Sequence, residues 1–71
     1  MGGVVIDATG LLCPMPIILL AKRISEIAIG ETLVLLANDP AAEFDVPAWC
    51  RMTRHTLISS ENSTYVVRRD S

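Results

Sequence analysis

Six apolar side chains, Ile17, Leu20, Ala21, Ile24, Ile27 and Ala28, recur at offsets of three, four, seven, ten and eleven from the first, so they share one stripe of an α-helix. A short β-branched run, Val4-Val5-Ile6, precedes the stripe, and a continuously apolar run from Thr32 to Ala37 follows it. Both runs read as strands, the second covered on at least one face. A helix with a single apolar stripe between two strands buries that stripe on the sheet the strands build.

The rest of the chain completes the layer. Val46, Trp49, Cys50 and Thr53 fall on one helical face. Pro47 suits that second helix only in its first turn, where its missing N–H is not needed, so Asp45 is the expected cap. A start at Asp39-Pro40 would put Pro47 inside the helix, so only a separate turn is expected there. Thr56-Leu57-Ile58-Ser59 and Tyr65-Val66-Val67-Arg68 flank a polar turn around Asn62 and Ser63, the pattern of a closing hairpin. The order β-α-β-α-β-β implies an α+β fold: a two-layer α/β sandwich with a mixed four-stranded sheet and two helices on one face.

The 71 residues are expected to form one domain spanning 1–71, with no linker or repeat. A core of this size seldom supplies more than about 3–5 kcal/mol of net stability. At 51% hydrophobic residues with one Trp, one Tyr and one Phe, branched aliphatics do most of the packing.

A formal net charge of −2 offers no footprint for a phosphate backbone, which argues against direct nucleic-acid binding. Arg51, Arg54, Arg68 and Arg69 read as a solvated face. Met1-Gly2-Gly3-Val4 lacks a basic n-region, and Pro14 and Pro16 break the apolar run from Leu11 to Ala21 before Lys22 ends it. No membrane span is expected, since one needs about 20 apolar residues. Two cysteines without a secretory signal point to a reducing compartment, the cytoplasm by default.

Cys13 stands directly before Pro14-Met15-Pro16 and the helical stripe. The most economical geometry makes Cys13 the N-cap and Pro14 the first helical residue. A sulfur there meets the helix dipole and free N–H groups, which favour the thiolate. Pro16 has no N–H, so Met15 N–H is the expected backbone donor to the sulfur. Cysteine is a poor choice as a purely structural cap, which marks Cys13 as chemical. Cys50, on the core stripe beside Trp49, reads as packing. His55, at the hand-over from the second helix to the third strand, reads as structural. Without a Cys-x-x-Cys pair and with one histidine, neither a dithiol relay nor a metal site is expected.

The string Asp7-Ala8-Thr9-Gly10-Leu11-Leu12-Cys13-Pro14-Met15-Pro16 resembles the signature of the TusA/SirA family of sulfur-carrier proteins. The resemblance continues through Gly30-Glu31-Thr32-Leu33, Asn38-Asp39-Pro40, Asp45-Val46-Pro47 and Trp49-Cys50 to His55. It implies a sulfurtransferase-type relay in which Cys13 accepts sulfane sulfur from a donor protein, a cysteine desulfurase or rhodanese-like protein. A thiol or persulfide acceptor protein then takes that sulfur. Family routes downstream include tRNA thiolation, molybdenum-cofactor assembly and sulfur oxidation. The resemblance also implies that Asp39 and Asp45 hold the loop and second helix near the site; read on their own, they are turn and cap residues. Met15 stands where some members carry an acidic residue, so sulfur handling is implied more directly than the tRNA route.

Pro14, Met15 and Pro16 are expected to shape the site. On a helical wheel Met15, Ile18, Leu19, Lys22 and Glu26 point away from the core stripe, so Met15, Ile18 and Leu19 form a candidate docking patch, with Lys22 or Arg23 steering an acidic partner. Thiol exchange calls for no cofactor. The competing readings are a non-catalytic regulatory or assembly module that binds through the same patch, and a peroxide-sensing thiol that would pair with Cys50.

Overall fold

In the computed structural model, which describes residues 3–71, the order is β1 (Val4–Asp7), α1 (Met15–Arg23), a 3-10 turn (Ile24–Glu26), β2 (Thr32–Leu36), α2 (Ala42–Thr53), β3 (Thr56–Glu61) and β4 (Thr64–Arg68). The expected domain start at Met1 and Gly2 lies outside the described residues. The strands form one sheet in the order β1-β2-β4-β3. β1 runs parallel to β2 with Ile6 opposite Leu35, whereas β4 is antiparallel to both β2 and β3. This is the mixed four-stranded α+β sandwich expected from the element order.

Alternation along the strands sends Ile6, Leu33, Leu35, Tyr65 and Val67 to one face, where they are buried. Against them pack Leu20 of α1, Ile27 after the 3-10 turn, and Ala42, Val46 and Cys50 of α2. One core therefore receives both helices on the same side of the sheet. The hairpin closes at Asn62-Ser63, both in the left-handed region with φ of 52° and 59°.

Two helices differ from the sequence reading. The first was expected to run to Ala28, but α-helical geometry stops at Arg23 and tightens into the 3-10 turn. Ile27 is extended (φ −107°, ψ 157°), which turns the chain toward β2 while its side chain stays in the core. Ala21 and Ala28, with little surface to bury, are exposed.

The second helix begins at Ala42, so Asp45 is a first-turn residue rather than the cap and Pro47 lies inside. The backbone starts the helix without a side-chain cap: Ala42 N–H donates to Asp39 O (3.0 Å) and Asp45 N–H to Ala41 O (2.9 Å). Burial of Ala42, Val46 and Cys50 at four-residue spacing holds the helix in place. Pro47 removes one bond, the one to the carbonyl of Glu43, a residue on the exposed side of the helix.

Candidate active site around Cys13

The loop after β1 is built from short polar contacts. Asp7 accepts from Thr9 N–H (3.1 Å) and the Thr9 hydroxyl (2.6 Å), an Asx-type turn that leads to Gly10 at φ 82°. Gly10 N–H donates to Asn38 Oδ1 (2.9 Å), which ties this loop to the one leaving β2. Parallel pairing of β1 and β2 brings their carboxyl ends together, so both loops reach the same edge of the sheet.

Cys13 lies where they meet, and it is exposed. Its position differs by one residue from the sequence reading: Pro14 is the cap, Met15 the first helical residue and Pro16 the second. Met15 N–H, expected to reach the sulfur, instead donates to Leu12 O (2.8 Å), closing a turn whose Cys13–Pro14 peptide is cis. A turn closed by backbone groups takes the N–H because a carbonyl is a stronger acceptor than a thiol.

Both hydrogen-bond donors of Cys13 are held by carboxylates from across the fold. Its backbone N–H donates to Asp39 Oδ2 at 2.8 Å, and its Sγ–H donates to Asp45 Oδ2 at 3.3 Å. The hydrogen bond to Asp45 pushes the Cys13 thiol above its ordinary pKa, with smaller contributions from desolvation and from the charges of Asp45 and Asp39. This overturns the expectation of a thiol favoured as an anion by the helix start. The reason is local: the cap Pro14 and the second helical residue Pro16 have no N–H to offer, the Met15 N–H is occupied, and two carboxylates stand beside the residue.

Residues 4–69 match the family model of the sulfurtransferase TusA. The chain belongs to the TusA family. At the family level this makes it a sulfur-transfer protein. A SirA-like protein from Desulfitobacterium hafniense has the same fold, with a TM-score of 0.68 and 21% identity over 90% of each chain.

An apolar groove of about 310 Å³ opens beside Cys13 between α1 and α2 of this TusA-family chain, lined by Pro14, Ile17, Asp45, Ala48, Trp49 and Met52. Cys50 faces the other way, buried in the core, and burial pushes its thiol up to about 11. His55 stacks on Trp49 (ring centroids 5.3 Å apart), and its Nδ1 accepts from Asp70 N–H (3.1 Å), so it pins the carboxyl-terminal segment.

Of the expected patch, Met15 and Ile18 are exposed (42% and 47%), and Leu12, which helical spacing did not include, is more open still at 69%. Leu19 is only partly exposed: it packs against the core, so the buried face of α1 is wider than a single narrow stripe. Lys22 is exposed, whereas the Arg23 guanidinium is taken by Glu26, with Nε and Nη2 both within 3.2 Å of its carboxylate. Arg68 pairs with Asp70 and Arg69 reaches Ile27 O (2.7 Å), so half of the late arginines make intramolecular contacts rather than a solvated face. Among the described residues no group of acidic, cysteine or histidine side chains has metal-site geometry, and no helix is long and apolar enough to cross a membrane.

Proposed function

We propose that Cys13 is the sulfur-carrying residue: it accepts sulfane sulfur as a persulfide from a donor protein and passes it to an acceptor protein. The observation that carries this reading is the contrast between the two cysteines. Cys13 is exposed and fixed by carboxylates at its N–H and its sulfur, whereas Cys50 is sealed in the core with a raised pKa of about 11. In the transfer, the Cys13 thiolate attacks the outer sulfur of a donor R–S–SH. The bond between the two donor sulfurs breaks, Cys13–S–SH forms, and R–S⁻ leaves. The second transfer repeats the exchange with an acceptor thiolate in the attacking role. Leu12, Met15 and Ile18, close to Cys13 in the chain, are exposed apolar side chains on which such proteins would dock.

Incubation with a sulfane-sulfur donor followed by intact mass measurement tests the reading. The wild type and Cys50→Ser gain one sulfur that a reductant removes, and Cys13→Ser gains none. If Cys13→Ser takes up the same sulfur, or keeps full biological activity, the domain acts through binding and the carrier reading is wrong.

A further inference from the structure

We propose that Asp45 holds Cys13 as a neutral thiol in the free protein, and that a cationic side chain of the sulfur-donating partner releases it by pairing with the Asp45 carboxylate. This rests on the carrier reading above and adds to it the switch and the chemistry of the partner.

The geometry carries the argument. A sulfur 3.3 Å from a carboxylate oxygen is attractive only while the sulfur bears its proton, since a thiolate would place two anions in contact. Asp39, whose Oδ2 accepts from Cys13 N–H at 2.8 Å, adds a second negative charge on the same side. Among the described residues neither carboxylate forms an ion pair; those present join Arg23 to Glu26 and Arg68 to Asp70. The first turn of α1 holds no titratable side chain, and Asp7 at the end of β1 is turned onto Thr9, so the charges facing the sulfur are those of Asp39 and Asp45. The raised thiol pKa agrees in direction.

Asp45 is a positioning residue and not the base that takes the proton. Moving a proton from an ordinary thiol to an ordinary carboxylate is disfavoured by a factor of about 10⁴ or more. Neutralising the carboxylate from outside removes the anion that opposes the thiolate and lets the proton go to solvent. The partner's complement follows from the surface: a cation reaching Asp45, flanked by apolar side chains that enter the groove of Pro14, Ile17, Trp49 and Met52. The charge on the partner is therefore opposite to that expected from Lys22 and Arg23 alone.

Mixed-disulfide formation with two small probes tests this without a partner in hand. Cystamine carries an ammonium on each arm and 2-hydroxyethyl disulfide carries none. In each case the Cys13 thiolate attacks one sulfur and expels the other half as a thiolate. Rates are divided by those of the same reagents with a free cysteine amide. At low ionic strength the wild type should favour cystamine several-fold, a preference that falls in about 0.5 M salt. Asp45→Asn should lose the preference and react faster with the neutral probe at pH 7, by about threefold for each unit its thiol pKa falls, while Asp45→Glu should stay slow.

An Asp45→Asn protein that reacts no faster, or that keeps the cystamine preference, overturns the proposal. If the variant does not fold, a wild-type preference that ignores salt overturns it equally. Absence of sulfur loading on Cys13 would instead remove the carrier reading and leave these disulfide rates standing.

Discussion

The Asp39 carboxylate, in the loop leaving β2, accepts the backbone N–H of Cys13 at 2.8 Å and so fixes a residue 26 positions earlier in the chain. An exposed turn would otherwise leave that amide to water. Asp39→Ala should speed hydrogen exchange of the Cys13 amide by about an order of magnitude, since exchange then follows local opening alone. Asp39→Asn keeps an acceptor oxygen and should keep most of the protection. Equal exchange in wild type and Asp39→Ala would show that the turn closed by Met15 N–H and Leu12 O holds the amide unaided.

Leu20 is fully buried where α1 meets the sheet, whereas Ile18, two residues earlier, is 47% exposed. Leu20→Ala should cost about 2–5 kcal/mol, which rivals the net stability of at most about 3–5 kcal/mol usual for a domain this small. Thermal melts followed by far-UV circular dichroism should show Leu20→Ala largely unfolded at 37 °C. Ile18→Ala, cut from the proposed docking surface, should melt within a few degrees of the wild type.

The four strands were legible along the chain because continuously apolar and β-branched runs bounded by turn residues mark them, although the spatial order β1-β2-β4-β3 was not read from the sequence. Helix ends were less legible. The start of α2 rests on backbone bonds from Ala42 and Asp45 and on core packing, which outweigh the proline rule at Pro47. The place of Cys13 at the start of α1 was legible to within one residue, but the carboxylate its sulfur faces was not. Met15 N–H is taken by a local turn to Leu12 O, Asp45 Oδ2 reaches the sulfur from 32 residues away, and no spacing rule in the sequence states that the sulfur faces a carboxylate.

Asn62 and Ser63 both adopt positive φ in the two-residue turn between β3 and β4, as a type I′ hairpin turn requires. Asparagine tolerates this region and serine does so poorly. Ser63→Gly creates the favoured Asn-Gly pair and should stabilise the protein by about 0.5–1 kcal/mol, raising the melting temperature by about 3–6 °C. The bond from Ala37 N–H to Ser63 O (3.0 Å) uses the backbone and survives the change. An unchanged or lowered melting temperature would mean that the serine side chain contributes what the structure does not attribute to it.

Cys50 makes the stability of the fold depend on alkaline pH in a direction that can be fixed in advance. Burial raises its thiol from 9.0 in the unfolded chain to about 11 in the folded one, so the folded state holds the proton more tightly. The resulting stability is fully present below pH 9 and is lost as pH rises from there through about 11. The loss attributable to this one group is on the order of 2 kcal/mol. Tyrosine and lysine ionise in the same range, so the comparison is with Cys50→Ala, which removes the thiol and keeps the helix. Urea unfolding midpoints measured from pH 8 to pH 11 should converge: Cys50→Ala starts lower, because it leaves a small void, and falls less steeply. Parallel curves would show that the thiol ionises as readily in the core as in water, and that the seal over Cys50 is looser than its burial implies.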